Sequence, residues 1–342
     1  MGLKITQTGN ISNALVNGNT SDVFRFSLNN PVNLNLRLTG LSSDLNLRLI
    51  RDNNNNGIVD DGEVLGLSSN TPDELALNDA SHGSAVQGII AAATNNGIGM
   101  AGINWNSPIV NIDVLGENLN DLSLVDATRR MIDQATSQGQ KLVINMSLGS
   151  SSFNVNYDQD LEQLIANNPN VLLLIATGNS GNAGQRGLAS PAVLAKTQTN
   201  VIAVGAAWGR TDRDGTVREP GTRIQYSWWG SQYGPGLTVM GPSEVVSTHA
   251  TNTGTGVIFD YFTGPGDRFN GTSSATPNVA GVASLVWSAN PNLTAAQVRQ
   301  ILSETATDTG PSGYDELNGN GLVNAEAAVR RAIALAHTNT TS

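Results

Sequence analysis

The sequence predicts an α/β fold in which a parallel β-sheet is covered by helices on both faces, preceded by a small, partial antiparallel β-sandwich. From about residue 82 onward, apolar runs of strand length alternate with amphipathic helical segments, which is the pattern of a buried parallel sheet. Before about residue 75, short β-prone runs such as VFRFSL and LNLRLI alternate with Asn/Gly/Ser turns, as antiparallel strands do. We therefore expect two domains, at residues 1–75 and 76–342.

The elements of the larger domain can be placed in order. Four apolar runs predict strands: PIVNIDVL (108–115), KLVINMSLG (141–149), VLLLIATGN (171–179) and VIAVGAAW (201–208). Between them, SLVDATRRMIDQATSQG and NYDQDLEQLIANN have helical periodicity. Further on, LTAAQVRQIL begins with Thr294 and Gln297 in capping-box spacing, and NAEAAVRRAIALAH predicts a last helix.

Composition excludes several classes of function. The 342-residue chain carries 28 acidic against 18 basic residues and has no Lys/Arg cluster, so we expect neither a nucleic acid nor an anionic membrane as partner. It contains no cysteine, which excludes disulfides, cysteine-bound zinc and a thiol nucleophile. No segment approaches the roughly 18 consecutive apolar residues of a spanning helix, and the N-terminus lacks the pattern of a signal peptide.

Polar residues follow the predicted strands at the edge where parallel sheets carry their chemistry. Ser147 to Gly149 end one strand and Asn179 ends the next. His82 precedes an apolar helical run, and Ser273 opens a helix of small apolar residues. Each of these segments alone is an ordinary cap or turn signal, so only their combination indicates a functional site.

Taken together, the four segments resemble the subtilisin-like serine protease family. HGSAVQG is similar to the family's HGTxVAG segment, VINMSLG to its substrate-binding strand, ATGNSG to its oxyanion segment, and GTSSATPNVAG to its nucleophile segment GTSMATPHVAG. The matches occur in the family's order, and the likeness covers about residues 80 to 332. It implies a subtilisin-like fold, a polypeptide substrate, Ser273 as nucleophile, His82 as general base, Asn179 as oxyanion donor, and Ser147, Leu148 and Gly149 as the substrate-binding strand.

The chemistry of these residues agrees with the resemblance. A serine hydroxyl is a weak nucleophile, so a base must accept its proton, and the imidazole of His82 has an ordinary pKa near neutral pH. At a helix N-terminus, Ser273 lies among unpaired backbone N–H groups that stabilise negative charge on a substrate oxygen. Pro277 is expected in the first helical turn, where its missing N–H costs little.

The acid of the expected triad departs from the family pattern. The family places an Asp-Ser/Thr-Gly or Asp-Asp-Gly segment after an apolar strand upstream of the histidine, and no such strand stands out here. Asp308 begins an Asp-Thr-Gly segment, but it follows the nucleophile, so we interpret it as unrelated to catalysis. Asp60 in GIVDDGE is the upstream candidate, although only 82 − 60 = 22 residues separate it from His82.

A calcium-binding loop is a competing interpretation of the same segment. DNNNNGIVDDGE, residues 52–63, has oxygen-bearing side chains at the ligand positions of the calcium-loop pattern and glycine at its turn position. Because strand-like runs flank it, we expect a loop carried on a hairpin rather than an EF-hand, and an Asn-rich turn without metal is the alternative. The implied ligands are Asp52, Asn54, Asn56, the carbonyl of Ile58, Asp60 and Glu63.

The N-terminal region has a resemblance of its own. Residues 19–66 look like the bacterial pre-peptidase C-terminal domain, a β-sandwich often attached to secreted proteases. The aromatic last strand of that domain and the aspartate strand of the protease are both missing at one junction, SSNTPDELALNDASHG. We infer that an internal block carrying both was lost. A strand that brought Asp60 or Asp52 to the ring of His82 would contradict this inference.

These expectations define one principal function and two alternatives. The principal one is a monomeric serine endopeptidase, impaired if the acid is absent. The first alternative is a degenerate, inactive member of the family that binds extended peptides without cutting them. The second is a calcium-dependent β-sandwich binding module whose protease half is a docking scaffold. The family is usually secreted, whereas no signal peptide is seen here, so the sequence assigns no compartment.

Overall fold

A computed structural model describes most of the larger domain and two strands of the smaller one. The described residues are 47–50, 64–68, 79–97, 99–105, 107–112, 114, 122–150, 155–184, 186–252, 257–261 and 268–338. The chain divides into two compact units, Met1–Thr71 and Pro72–Ser342.

The first unit contains a pair of antiparallel strands. Strand β1 (Leu47–Ile50) pairs with β2 (Val64–Ser68), with a local irregularity of register at the Leu49/Ile50 step. The strand-like runs that flank the predicted calcium loop therefore form a hairpin. The loop itself, with all its expected ligands and the candidate acid Asp60, lies outside the described residues.

The second unit is built on a parallel sheet, as predicted. Strands β3 (Leu142–Met146), β4 (Val171–Ala176), β5 (Val201–Ala207) and β6 (Leu237–Pro242) are parallel and lie side by side in chain order. Every residue of β4 and β5 is buried, which explains why these strands read as continuous apolar runs rather than alternating ones.

Helices cover both faces of this sheet. Alternate residues of β4 point to opposite faces, so Leu172 and Leu174 belong to one core and Leu173 and Ile175 to the other. The first core is closed by α4 (Thr272–Ala289), α5 (Ala295–Glu304) and α6 (Ala325–Thr338), and the second by α2 (Leu124–Ser137) and α3 (Val155–Ala166). The doubly covered α/β architecture is confirmed.

Two further elements complete the described part of this unit. Helix α1 (Asp79–Ala91) packs against α4 and against β7 (Thr248–Asn252), which forms an antiparallel hairpin with β8 (Val257–Tyr261). The hydroxyls of Ser247 and Thr248 donate to carbonyls in α1. A small core cluster around Ala85, Ile89 and Phe269 fills the space beside them.

One predicted strand is not formed. Residues 108–112 and 114 of the apolar run at 108–115 are irregular, and Ile109 and Val110 are 38% and 47% exposed. A short apolar run becomes a strand only where a partner strand accepts its hydrogen bonds, and within the described residues β3 pairs with β4 alone.

In the described part of the chain, no helix has both the length and the apolar character needed to cross a membrane.

Candidate active site

The predicted site residues Ser147 and Asn179 lie where parallel strands end. Ser147 follows β3, Asn179 follows β4, and Ser243 follows β6, so their backbones meet at the carboxyl edge of one sheet. Helix α4 packs across this sheet, and Ser273 is its second residue. The geometry thus brings the N-terminus of a buried helix to the edge where open α/β sheets bind ligands.

The backbone before Ser273 requires glycine. Gly271 caps α4 with a φ of 84°, a region that L-residues rarely adopt. A Cβ at this position would also lie 3.2 Å from Nδ2 of Asn179. The hydroxyl of the half-buried Ser273 donates to the carbonyl of Ser147 at 3.1 Å. The turn therefore holds the nucleophile candidate directly beside the substrate-strand candidate.

Asn179 is held in one orientation by the residue that precedes Ser273. Its Oδ1 accepts hydrogen bonds from the backbone N–H of Thr272 at 2.9 Å and from the Thr272 hydroxyl at 3.0 Å. Because Oδ1 must face these two donors, the orientation of the amide follows from the hydrogen-bond network. The Nδ2 group is turned away from Thr272, and the residue is exposed, so Nδ2 can donate to a bound substrate oxygen.

The interpretation of Pro277 was wrong. Helix α4 begins at Thr272, so Pro277 lies in the second turn, inside the helix, and not in the first turn. An N–H at this position would bond to the carbonyl four residues earlier, that of Ser273. The hydroxyl of Ser147 donates to this carbonyl instead, at 2.8 Å. The proline therefore removes a real helical donor, and a side chain from the end of β3 takes its place.

His82 lies in the first half of α1, the helix that packs on α4. Its half-buried ring makes an edge-to-face contact with Phe269, with centroids 5.4 Å apart. The other two histidines lie elsewhere, His249 on β7 and His337 in the last turn of α6. The ring of His82 thus contacts the short segment leading into Ser273.

The candidate substrate strand continues into a bridge with the loop before β5. Ser150 and Ser190 exchange two backbone hydrogen bonds of 2.9 Å. A Cβ on Gly149 would lie 3.1 Å from the carbonyl of Ser190, so this residue passes close to the neighbouring backbone. Leu148 packs partly against the second core. These contacts fix the backbone of residues 147–149.

A buried carboxylate cluster beside this edge was not anticipated. Glu244, just after β6, has a φ of 57° and is buried, and its Oε2 accepts from the backbone N–H of Arg213 and from the hydroxyl of Tyr226. Burial raises the pKa of Glu244, and burial together with this carboxylate raises the pKa of Tyr226. Burial also acts to raise the pKa of Asp212, but hydrogen bonds, mainly from Arg218, hold it below its usual value.

Few sequence signals pointed to these residues. Ser243 and Glu244 follow a Gly-Pro pair, an ordinary turn signal, and the hydroxyl of Ser243 donates to the carbonyl of Gly271 at 2.9 Å. Thr272 was visible only as a helix-cap residue. Asp308 accepts a hydrogen bond from the backbone N–H of Gly313.

The residues that the structure describes contain no candidate metal site. In the described residues, no group of three or more His, Asp or Glu side chains could hold a metal ion, and the chain contains no cysteine. The expected calcium ligands between residues 52 and 63 lie outside those residues. The calcium expectation thus stays a prediction.

Comparison with known proteins points to one family. The sequence model of the subtilase family matches residues 41–321. Alkaline elastase YaB from Bacillus sp. strain YaB is 37% identical over 271 residues, which cover 79% of this chain and 61% of that protein. Subtilisin Savinase from Lederbergia lenta is 36% identical over 272 residues, covering 79% of this chain and 86% of that protein.

Solved structures give the same answer for the fold. The structure of proteases from Pseudoalteromonas arctica PAMC 21717 aligns with a TM-score of 0.53 and 27% identity, over 73% of this chain and 70% of that one. A psychrophilic subtilisin-like protease from Pseudoalteromonas sp. AS-11 aligns with a TM-score of 0.54 at 22% identity, over 75% and 86% of the two chains.

The relatives differ in how much of their length this chain spans. It spans about 60% of the length of alkaline elastase YaB and of the alkaline protease of Alkalihalobacillus alcalophilus, which is 36% identical to it. The family match nonetheless covers most of the present chain and all four of the candidate site segments. We conclude that this chain belongs to the subtilase family.

Proposed function

We propose that the chain is a serine endopeptidase that hydrolyses peptide bonds through an acyl-enzyme on Ser273. The observation that carries this proposal is the pair of hydrogen bonds by which Thr272 orients Asn179 next to the nucleophile. An amide donor and a helix N-terminus then face the same oxygen of a bound peptide. This arrangement has a use in acyl transfer that an ordinary helix cap lacks.

In the proposed reaction, His82 removes the proton of Ser273 Oγ as this oxygen attacks the scissile carbonyl carbon. The carbonyl oxygen takes up negative charge, which is stabilised by Asn179 Nδ2 and by the first N–H groups of α4. His82 then gives its proton to the leaving nitrogen as the C–N bond breaks. A water molecule, deprotonated by the same histidine, hydrolyses the ester and restores Ser273.

The peptide is expected to lie along residues 147–149. Extended substrates bind to such segments by adding a strand through backbone hydrogen bonds, which gives affinity for many sequences. Asp60 stays the upstream candidate for the acid of the triad, in competition with the calcium-loop interpretation of the same segment. The second candidate function, an inactive peptide-binding relative, is favoured because only two apolar residues, Ile58 and Val59, directly precede Asp60, where the family has an apolar strand.

Labelling with a fluorophosphonate separates the two functions. We expect stoichiometric labelling of the wild type, and none in Ser273→Ala or His82→Ala. Binding of an extended peptide by a folded but unlabelled wild type contradicts the endopeptidase and supports the inactive relative. Folding is checked by tryptophan fluorescence, since all five tryptophans lie in the second unit.

A further inference from the structure

The carbonyl of Ser273 accepts a hydrogen bond from an unusual donor. In a regular helix it would accept the N–H of residue 277, but that residue is proline, which has none. A buried carbonyl without a hydrogen-bond partner destabilises the folded state, so a replacement donor matters. The hydroxyl of Ser147 fills this role at 2.8 Å, although it comes from the end of β3, 126 residues away in the chain.

The same two residues are linked a second time. The hydroxyl of Ser273 donates to the carbonyl of Ser147 at 3.1 Å, so each serine donates its hydroxyl to the other's backbone. A side chain held by a reciprocal pair cannot shift along the helix axis without losing both bonds. This pair ties the nucleophile candidate to the strand on which the substrate is expected to lie.

A third residue sets the direction of the Ser147 hydroxyl. Nδ2 of Asn145 donates to Ser147 Oγ at 3.0 Å. Because a hydroxyl has one proton and the amide already occupies an acceptor site of Oγ, the proton is left to point toward the carbonyl of Ser273. Asn145 thus orients Ser147, and Ser147 holds Ser273.

We propose that Ser147 is a positioning residue whose hydroxyl replaces the helical N–H that Pro277 lacks, and thereby fixes Ser273 at the start of α4. The effect of Ser147 on catalysis rests on the proposed endopeptidase function. The replacement of the helical hydrogen bond is independent of that function. The proposal assigns a role to the Ser147 side chain, separate from the backbone pairing expected of residues 147–149.

A double-mutant cycle tests the replacement directly. The proteins are the wild type, Ser147→Ala, Pro277→Ala and the double variant. Pro277→Ala restores an N–H four residues after Ser273, so the carbonyl regains a helical donor. We expect Ser147→Ala to lower the denaturant midpoint clearly in the wild-type background, and much less in the Pro277→Ala background. Equal losses in both backgrounds overturn the proposal.

Labelling kinetics test the positioning. We expect Ser147→Ala to slow fluorophosphonate labelling of Ser273 by about 10-fold or more, and the double variant to recover most of the loss. If the effects of the two substitutions on the midpoint are coupled but labelling is unchanged, the hydrogen bond stabilises the helix without positioning the nucleophile. This result also overturns the proposal. If the wild type is not labelled at all, the proposed function fails, and the midpoint cycle alone decides whether the donor is replaced.

Ser243→Ala serves as the matched control. Ser243 and Ser147 are 3% and 9% exposed, and both hydroxyls donate to a carbonyl at the start of α4 with similar bond lengths. Ser243 donates to the carbonyl of Gly271, which also accepts a hydrogen bond from the N–H of Ser274. This carbonyl therefore keeps a donor in Ser243→Ala. The effect of Ser243→Ala on the midpoint is expected to be the same in the wild-type background and in the Pro277→Ala background.

Discussion

At the scale of single residues, the oxygen and the nitrogen of the Asn179 side-chain amide are expected to have different partners. Its oxygen accepts both hydrogen bonds from Thr272, and we propose that its nitrogen donates to a substrate oxygen. Asn179→Asp keeps the acceptor for Thr272 but cannot donate, so we expect folding to be retained and turnover of a peptide substrate to fall about 100- to 1,000-fold, a range taken from subtilisin. The measurement is kcat with the denaturant midpoint as control. Unchanged kcat would show that Asn179 does not contact the substrate oxygen.

Glu244 makes a different residue-scale prediction, in the pH dependence of stability. Burial raises its pKa in the folded state, and the hydrogen bonds from Tyr226 and Arg213 offset only part of this rise. Between the ordinary and the raised pKa, the folded chain binds more protons than the unfolded one, so the free energy of unfolding falls as pH rises through this window.

Glu244→Gln keeps an acceptor for both donors and removes the titration. We expect this variant to be more stable than the wild type near neutral pH and to lack this decline, with denaturant midpoints measured between about pH 4 and about pH 7. Asp212→Asn is the control, because the lowered pKa of Asp212 gives a loss of stability only as pH falls below its usual range. If the denaturant midpoints of wild type and Glu244→Gln change with pH in parallel, the raised pKa of Glu244 is contradicted.

The sequence marks candidate site residues only where a motif carries them. Ser273, Asn179 and His82 were recognisable because their neighbours form contiguous segments. The role of Pro277 was misjudged because it lies five residues after Thr272, beyond the first turn, and only the N–H groups of that turn lack helical partners. Glu244 was invisible, since its burial depends on Arg213 and Tyr226, which reach it from a separate loop.

At the scale of elements, the contact between β6 and α4 is set by glycine. A Cβ on Gly241 would lie 2.5 Å from the carbonyl of Ala275, a backbone atom that cannot move without shifting the helix that carries Ser273. We expect Gly241→Ala to lower the free energy of unfolding by about 1–3 kcal/mol and to slow labelling of Ser273. Tryptophan fluorescence in denaturant measures the first effect.

Gly83 in α1 provides the opposite case for comparison. It is exposed, and no heavy atom lies within 4 Å of an added Cβ. Gly83→Ala should raise the free energy of unfolding by about 0.5–1 kcal/mol, because alanine loses less backbone entropy in a helix. Equal effects of the two substitutions would mean that the close approach of β6 and α4 does not control stability.

Most elements could be predicted because periodicity and caps agreed. The capping box at Thr294 and Gln297 is present in both directions, and β4 and β5 form where their apolar runs lie. The run at 108–115 also has apolar character, yet its described residues form no strand. Periodicity reports how well a segment could be buried, whereas strand formation also needs a partner edge, which no local pattern reveals.

At the scale of the whole molecule, the first unit raises the question of calcium. Strands β1 and β2 pair, so the segment between them begins and ends at a hairpin, as a hairpin-borne loop requires. We propose that residues 52–63 bind one calcium ion through the oxygen ligands of the loop pattern. Titration calorimetry should give a stoichiometry near one for calcium and a much weaker response to magnesium, since Mg²⁺ demands a tighter octahedral shell.

Substitutions within this loop decide between calcium binding and the triad for Asp60. Asp52→Asn and Glu63→Gln replace the charged carboxylates at the first and last loop positions by neutral amides, so the heat of calcium binding should fall sharply while Ser273 labelling persists. Asp60 occupies the ninth position, which often binds calcium through water, so Asp60→Asn should keep most of the calcium heat. If Asp60 also orients His82, the same variant loses labelling, with turnover reduced by up to about 3 × 10⁴-fold, the loss known for the acid of subtilisin. Full labelling of Asp60→Asn would exclude Asp60 as the acid and leave the catalytic chemistry to His82, Ser273 and Asn179.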